Sequence, residues 1–172
     1  MSVRREGDSV FAGVAAQPRI VLGVSDSAAG RAALNVAVDI AMRRQLPLHL
    51  VRVWHDVDWF LFAATNAMDL LVADENGERD RFATICAHAM NRAPHLRLSW
   101  ELIPGDVYST LLQRTTGADL LVLGTNAPSG SDTGRLASWF IERAKCPVIV
   151  VDAAERIVEY RAGLPVAHAT AQ

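Results

Sequence analysis

The residues best placed to do chemistry lie in LLVLGTNAPSGSDTGRLASW (120–139), with glycines at Gly124, Gly130 and Gly134. An apolar run ends at the first glycine, a polar run follows, and a helical pattern begins beyond the last. A strand, a flexible loop and a helix in that order bring unpaired backbone N–H groups and the positive end of a helix dipole to one place. That arrangement suits a phosphate or another anion. Arg135 adds a guanidinium able to grip a phosphate through two parallel hydrogen bonds, yet it is also long enough to fill the phosphate's space. A second stretch of similar design is VSDSAAG (24–30), where Ser25, Asp26 and Ser27 precede an alanine-rich pattern. Asp26 offers a carboxylate and Ser25 a hydroxyl, and both are natural helix caps.

Other reactive residues are sparse. His49, His55, His88, His95 and His168 show no ligand spacing, and His55-Asp56 is the only such pair near the end of a strand. Cys86 and Cys146 lack a Cys-x-x-Cys partner, so they read as small buried hydrophobes rather than zinc ligands. Neither a nucleophile elbow nor a phosphate-loop lysine is present, and the expectation is a protein that is not an enzyme and holds no metal.

Five apolar runs must position these residues: 19–24, 48–54, 96–102, 119–124 and 147–151. The first, fourth and fifth are almost continuously apolar, as in parallel strands covered on both faces. The second and third partly alternate, which places them nearer a sheet edge. Between them lie helical patterns. The first carries Ala29, Ala33, Val36, Ala37, Ile40 and Ala41 on one stripe, and the second keeps its period through Phe82, Cys86 and Met90, with Gly77 as a candidate break. The third is capped by Asp106 and stopped by Gly117, and the fourth starts near 131–133 with Leu136, Trp139, Phe140 and Ile141 inward. Strands alternating with helices predict one α/β domain, a doubly wound parallel sheet with helices on both faces. The expected organisation is a loose arm over 1–18, the domain over 19–152, and a tail over 153–172 with a helical turn near 156–160. In such sheets ligands bind beyond the carboxyl ends of the strands, where the strand order reverses. Trp54, Trp59, Phe60 and Phe62 crowd the loop after the second strand, bordering that place.

Composition narrows the partners. Net charge is −2, so no basic field draws in nucleic acid, and no apolar run approaches the ~18 residues of a membrane span. The N-terminus does not read as a secretory signal, and the expected location is cytoplasmic.

RIVLGVSDSAAGRAAL, LIPGDVYSTLLQRTTGADLLVLGT and ERAKCPVIVVD, in that order, resemble the opening, middle and closing blocks of universal stress protein domains. The resemblance runs from Arg19 to Asp152. It implies a five-stranded parallel sheet in the order 3-2-1-4-5, and a homodimer joined through the last strand, here Pro147 to Val151. It also implies a cytoplasmic role in stress response. Some members bind ATP, through an aspartate after the first strand and a loop of Gly, two residues, Gly, nine residues, Gly and Ser or Thr. In this sequence the aspartate position is Ser25, with Asp26 one place later. Gly124 is kept, the second glycine is Ala127, six residues separate it from Gly134, and Arg135 replaces the hydroxyl residue. Pro128 biases Ala127 toward extended backbone, and Gly130 is the one glycine able to substitute for it. The expectation is therefore a non-catalytic regulatory dimer acting on an unidentified protein partner, with ATP binding lost or weak. The alternative is an ATP-binding regulatory domain that sets Gly124, Gly130, Gly134 and Arg135 on the phosphates.

Overall fold

The computed structural model describes residues 18–54, 68–126 and 134–161, with the side chains of 68–74 and of residue 159 left aside. In chain order the elements are Ile20–Gly23 (β1), Ala28–Arg44 (α1), Leu48–Trp54 (β2), Met68–Arg92 (α2), Leu98–Pro104 (β3), Val107–Arg114 (α3), Leu120–Gly124 (β4), Arg135–Arg143 (α4), Val148–Val151 (β5) and Ile157–Arg161 (β6). One sheet runs β3-β2-β1-β4-β5-β6. The first five strands pair in parallel, in the expected order, and β6 adds to β5 antiparallel.

Alternation along the strands sorts the core into two layers. Ile20, Leu22, Leu48, Leu50, Leu120 and Val122 face α1 and α2, where Ala33, Ala37, Phe82 and Cys86 meet them. Val21, Val51, Leu121, Leu123, Val148 and Val150 face α3 and α4, meeting Leu111, Ala137 and Phe140. The alanine stripe lets α1 lie close over the central strands. Both cysteines are free and buried, and burial pushes each thiol up to about 11, which keeps it neutral and inert at ordinary pH.

Several expectations change. Ser27, not Ser25 or Asp26, caps α1, accepting a 3.0 Å hydrogen bond from the Gly30 N–H. Helix α2 runs unbroken through Gly77, because its apolar face is anchored on the sheet at Phe82, Cys86 and Ala89. Helix α3 ends at Arg114, where Thr115 Oγ1 donates to the Leu112 carbonyl at 2.7 Å, and Gly117 (φ +72°) lies in the turn beyond. Helix α4 begins at Arg135 with Gly134 as its cap, later than the polar run 131–133.

The largest change is the tail. The helical turn expected near 156–160 is strand β6. The Asp152 carboxylate accepts from the Ala154 and Arg156 N–H groups at 2.9 and 3.0 Å, and Glu155 turns the chain at φ +60°. The chain then runs back along β5, whose open edge offers a row of backbone partners that a lone helical turn lacks. Hydrogen bonds from Arg156 hold the Asp152 carboxyl below the usual carboxylate range. The edge that Pro147 to Val151 would present to a second subunit is thus paired within the chain.

Candidate functional site

The site is built where β1 and β4 end side by side. Residue 23 closes β1, and the loop through Ser25, Asp26 and Ser27 turns into α1. Ser25 Oγ lies 3.0 Å from Ser27 Oγ, so its hydroxyl is engaged in the cap region. A side chain at Gly124 has no room: a Cβ there would fall 2.5 Å from the Ala29 carbonyl oxygen and 2.8 Å from the Gly30 nitrogen. Gly124 is explained by this backbone-to-backbone approach of β4 to the first turn of α1, with no ligand needed.

Asp26 points into a charged cluster that sequence reading missed. Its Oδ2 lies 2.6 Å from Arg52 Nη2, and Glu78 Oε2 lies 2.6 Å from the same nitrogen. Arg52 Nε also donates to Glu78 at 2.6 Å, and Arg81 closes the far side of Glu78 at 2.7 Å. Arg52 continues the row of Leu48 and Leu50 on β2 and is buried, as is Glu78 on α2. A buried guanidinium requires paired acceptors, and two carboxylates supply them. The visible signal was an arginine between Val51 and Val53 in an apolar strand; its partners, 26 residues away on each side, carried no local pattern.

The second half lies after β4. Thr125 is buried and its N–H donates to the Val151 carbonyl at 2.8 Å. Gly134 has φ +84°, and a Cβ there would come within 3.3 Å of Thr125 Oγ1, so the two ends of the loop meet. Gly134 caps α4 and, as a glycine, offers no side-chain hydrogen bond to its first turn. Beside it is a cavity of about 300 Å³ lined by Gly124, Thr125, Asn126, Gly134, Arg135, Leu136 and Ala137. Arg135 is exposed. Neither Ser25 nor Asp26 is among the described residues that line it. Ala127 and Gly130, like His55, Trp59, Phe60 and Phe62, fall outside the described residues.

A third polar cluster joins β2, β3 and α3. His49 Nδ1 lies 2.8 Å from Ser99 Oγ and Nε2 lies 3.0 Å from Glu101 Oε1, while Arg114 donates twice to Glu101 Oε2, at 3.0 and 2.8 Å. The hydrogen bond from His49 and the Arg114 guanidinium hold the Glu101 carboxyl down at about 2. The order hydroxyl, imidazole, carboxylate corresponds to no sequence motif because it arises across strands. Its role in the fold is to satisfy a buried imidazole. Among the described residues no group of three or more His, Cys, Asp or Glu is placed to hold a metal ion.

Comparison with known proteins decides one point. The profile of the universal stress protein family matches residues 18–152. The chain belongs to the universal stress protein family. A universal stress protein of Mycobacterium tuberculosis is 26% identical over 153 residues, covering 86% of this chain and 52% of its own length, so the chain spans about half of that relative. Among solved structures, UspA of Lactobacillus plantarum superposes with a TM-score of 0.55 at 27% identity, covering 77% of this chain and 96% of that one. A family member from Burkholderia pseudomallei gives 0.58 at 24%, covering 77% and 94%. A universal stress protein in complex with cAMP gives 0.54 at 18%, covering 79% and 97%, a likeness of fold. Among the described residues no helix is long and apolar enough to cross a membrane.

Proposed function

We propose that this universal stress protein is a non-catalytic regulator that acts through a protein partner and whose cleft has lost firm ATP binding. The observation that carries the reading is the Arg52–Asp26 contact of 2.6 Å, shared with Glu78. A nucleotide needs a free acceptor for its ribose hydroxyls and donors for its phosphates in one cavity. Here the carboxylate after β1 is committed to Arg52, and the donors sit in a separate small cavity by α4. Self-association through Pro147 to Val151 belongs to this reading only in a form that first displaces β6, which already pairs with that edge.

A second reading rests on the N-terminus of α4, where the cap Gly134 offers no side chain, beside Arg135. In it the cleft holds a nucleotide by its phosphates alone, and a family member of similar fold bound to cAMP lends it support. Calorimetric titration of the purified full chain with ATP separates the two. The first reading expects no saturable heat up to about 1 mM ATP, whereas a dissociation constant of about 1 μM overturns it. If ATP binds, Arg135→Ala weakens binding when Arg135 grips phosphate and strengthens it when Arg135 fills the space.

A further inference from the structure

Strands β2 and β3 set a hydroxyl, an imidazole and a carboxylate in line on the α3 side of the sheet. His49 stands opposite Ser99 in the parallel register, and Val51 stands opposite Glu101. Residues two apart on a strand point to the same face, so His49, Ser99 and Glu101 share one side with Val51. His49 is buried, at 4% exposure, Glu101 is half-buried and Ser99 is exposed. Burial explains why the imidazole needs two partners. It does not explain why an exposed hydroxyl, which water could serve, is one of them.

The proton positions follow from Glu101. Its Oε2 accepts two hydrogen bonds from Arg114, at 3.0 and 2.8 Å, so the carboxylate stays ionised and can only accept. Its Oε1 lies 3.0 Å from His49 Nε2, which therefore carries the imidazole proton. In the neutral ring that leaves Nδ1 as an acceptor, 2.8 Å from Ser99 Oγ. The Ser99 hydroxyl is then the donor of this hydrogen bond, and a base stands on its proton. A nucleophile within hydrogen-bond reach of a base, with the base oriented by a third group, is the arrangement that activates a serine. Ser109 gives the contrast within the same chain: it is also exposed, but its hydroxyl donates to the Asp106 carbonyl at 3.4 Å, a group that cannot take the proton.

We propose that Ser99 is a self-acylating residue, which takes the acyl group of a small thioester with His49 as general base and Glu101 as the group that positions the base. Ser99 Oγ bonds to the thioester carbonyl carbon, and its proton passes to His49 Nδ1. The carbon–sulfur bond breaks, and the departing thiolate takes that proton from His49. The products are an ester on Ser99 and a free thiol, so no oxidant or reductant is needed. A thioester fits because the three residues supply a base and its orientation, and the leaving group has to depart easily. A thiol has a pKa of about 8.5, and its anion leaves far more readily than an alkoxide. The inference goes beyond the partner-binding reading above and does not rest on it.

The test treats the purified full chain with an excess of S-acetyl-N-acetylcysteamine and follows acetylation by intact mass and peptide mapping. Ser99 is expected to gain its acetyl group at least about 100-fold faster than Ser109, the usual scale of general-base catalysis. Its rate should rise with pH to a plateau, as one neutral base requires. His49→Gln is expected to lower the rate by at least about 100-fold and to remove the plateau. Glu101→Gln, whose amide can hydrogen-bond either tautomer of the ring, is expected to lower it less and to keep the plateau. The proposal is overturned if Ser99 gains no acetyl group, if Ser99 and Ser109 react at equal rates, or if His49→Gln reacts as fast as the native chain. Equal labelling of Ser99 in the urea-unfolded chain also overturns it, because the reactivity would then owe nothing to the fold. The comparison of two serines in the native chain decides the matter even where His49→Gln fails to fold.

Discussion

Arg52 Nη2 stands 2.6 Å from Asp26 Oδ2, joining the interior of β2 to the mouth of β1. The side chain of Arg52 is 10% exposed, that of Glu78 12% and that of Asp26 44%, so the three partners are unequal. Removing the guanidinium takes the buried partner from Glu78 on α2 and leaves it only the more exposed Arg81. Arg52→Met is expected to cost about 3 kcal/mol, in the range for breaking a buried pair. Asp26→Asn, at the wet end, is expected to cost less than about 1 kcal/mol. Urea denaturation of both variants decides it: equal losses would show that the cluster does not divide between a buried and an exposed contact.

Two glycines have opposite expectations. Gly124→Ala drives a Cβ to within 2.5–2.8 Å of backbone atoms of α1 that cannot swing aside. The resulting shift is expected to cost about 2–3 kcal/mol. Gly77 sits inside α2 with nothing within 4 Å of an added Cβ, so Gly77→Ala is expected to stabilise by about 0.5–1 kcal/mol. Thermal melting of the two variants should move in opposite directions, and a rise for Gly124→Ala would refute the packing argument.

Acid sensitivity follows from Glu101. Its carboxyl is lowered from 4.5 to about 2 by the hydrogen bond from His49 and by Arg114. A depressed carboxylate lends stability that is fully present above its unfolded value and is lost as pH falls through the folded value. The window therefore runs from about 4.5 down to about 2, and the loss is on the order of 3 kcal/mol. Chemical denaturation at a series of pH values should show this slope in the native chain. Glu101→Gln should be less stable at neutral pH and flatter below pH 5. A parallel slope in that variant would place the acid sensitivity elsewhere.

Much of the architecture was legible because it is written locally. Leu48–Trp54 is a strand with the bounds its apolar pattern implied, and of the stripe expected on α1 Ala29, Ala33, Ala37, Ile40 and Ala41 are buried while Val36 is half-buried. Asp106 caps α3 through a 2.7 Å bond from the Ser109 N–H, as its position suggested. ERIVEY at the tail misled because its apolar residues suit a helical turn as well as a strand. Only the open edge of β5 decided between them.

The candidate site shows the same division. Sequence alone determined that the chain is an α/β domain of the universal stress protein family, and that the loop after β4 keeps Gly124 and Gly134 of the pattern it resembles while departing elsewhere. It also placed Ser25 and Asp26 in the turn between β1 and α1. Tertiary structure alone decided that Ser27 takes the cap, that Asp26 is bound by Arg52, and that β6 pairs along the edge of β5. The physical reason is range. Periodicity and capping depend on residues within a few positions of one another. An ion pair, a strand pairing or a 2.5 Å backbone approach depends on where distant segments meet.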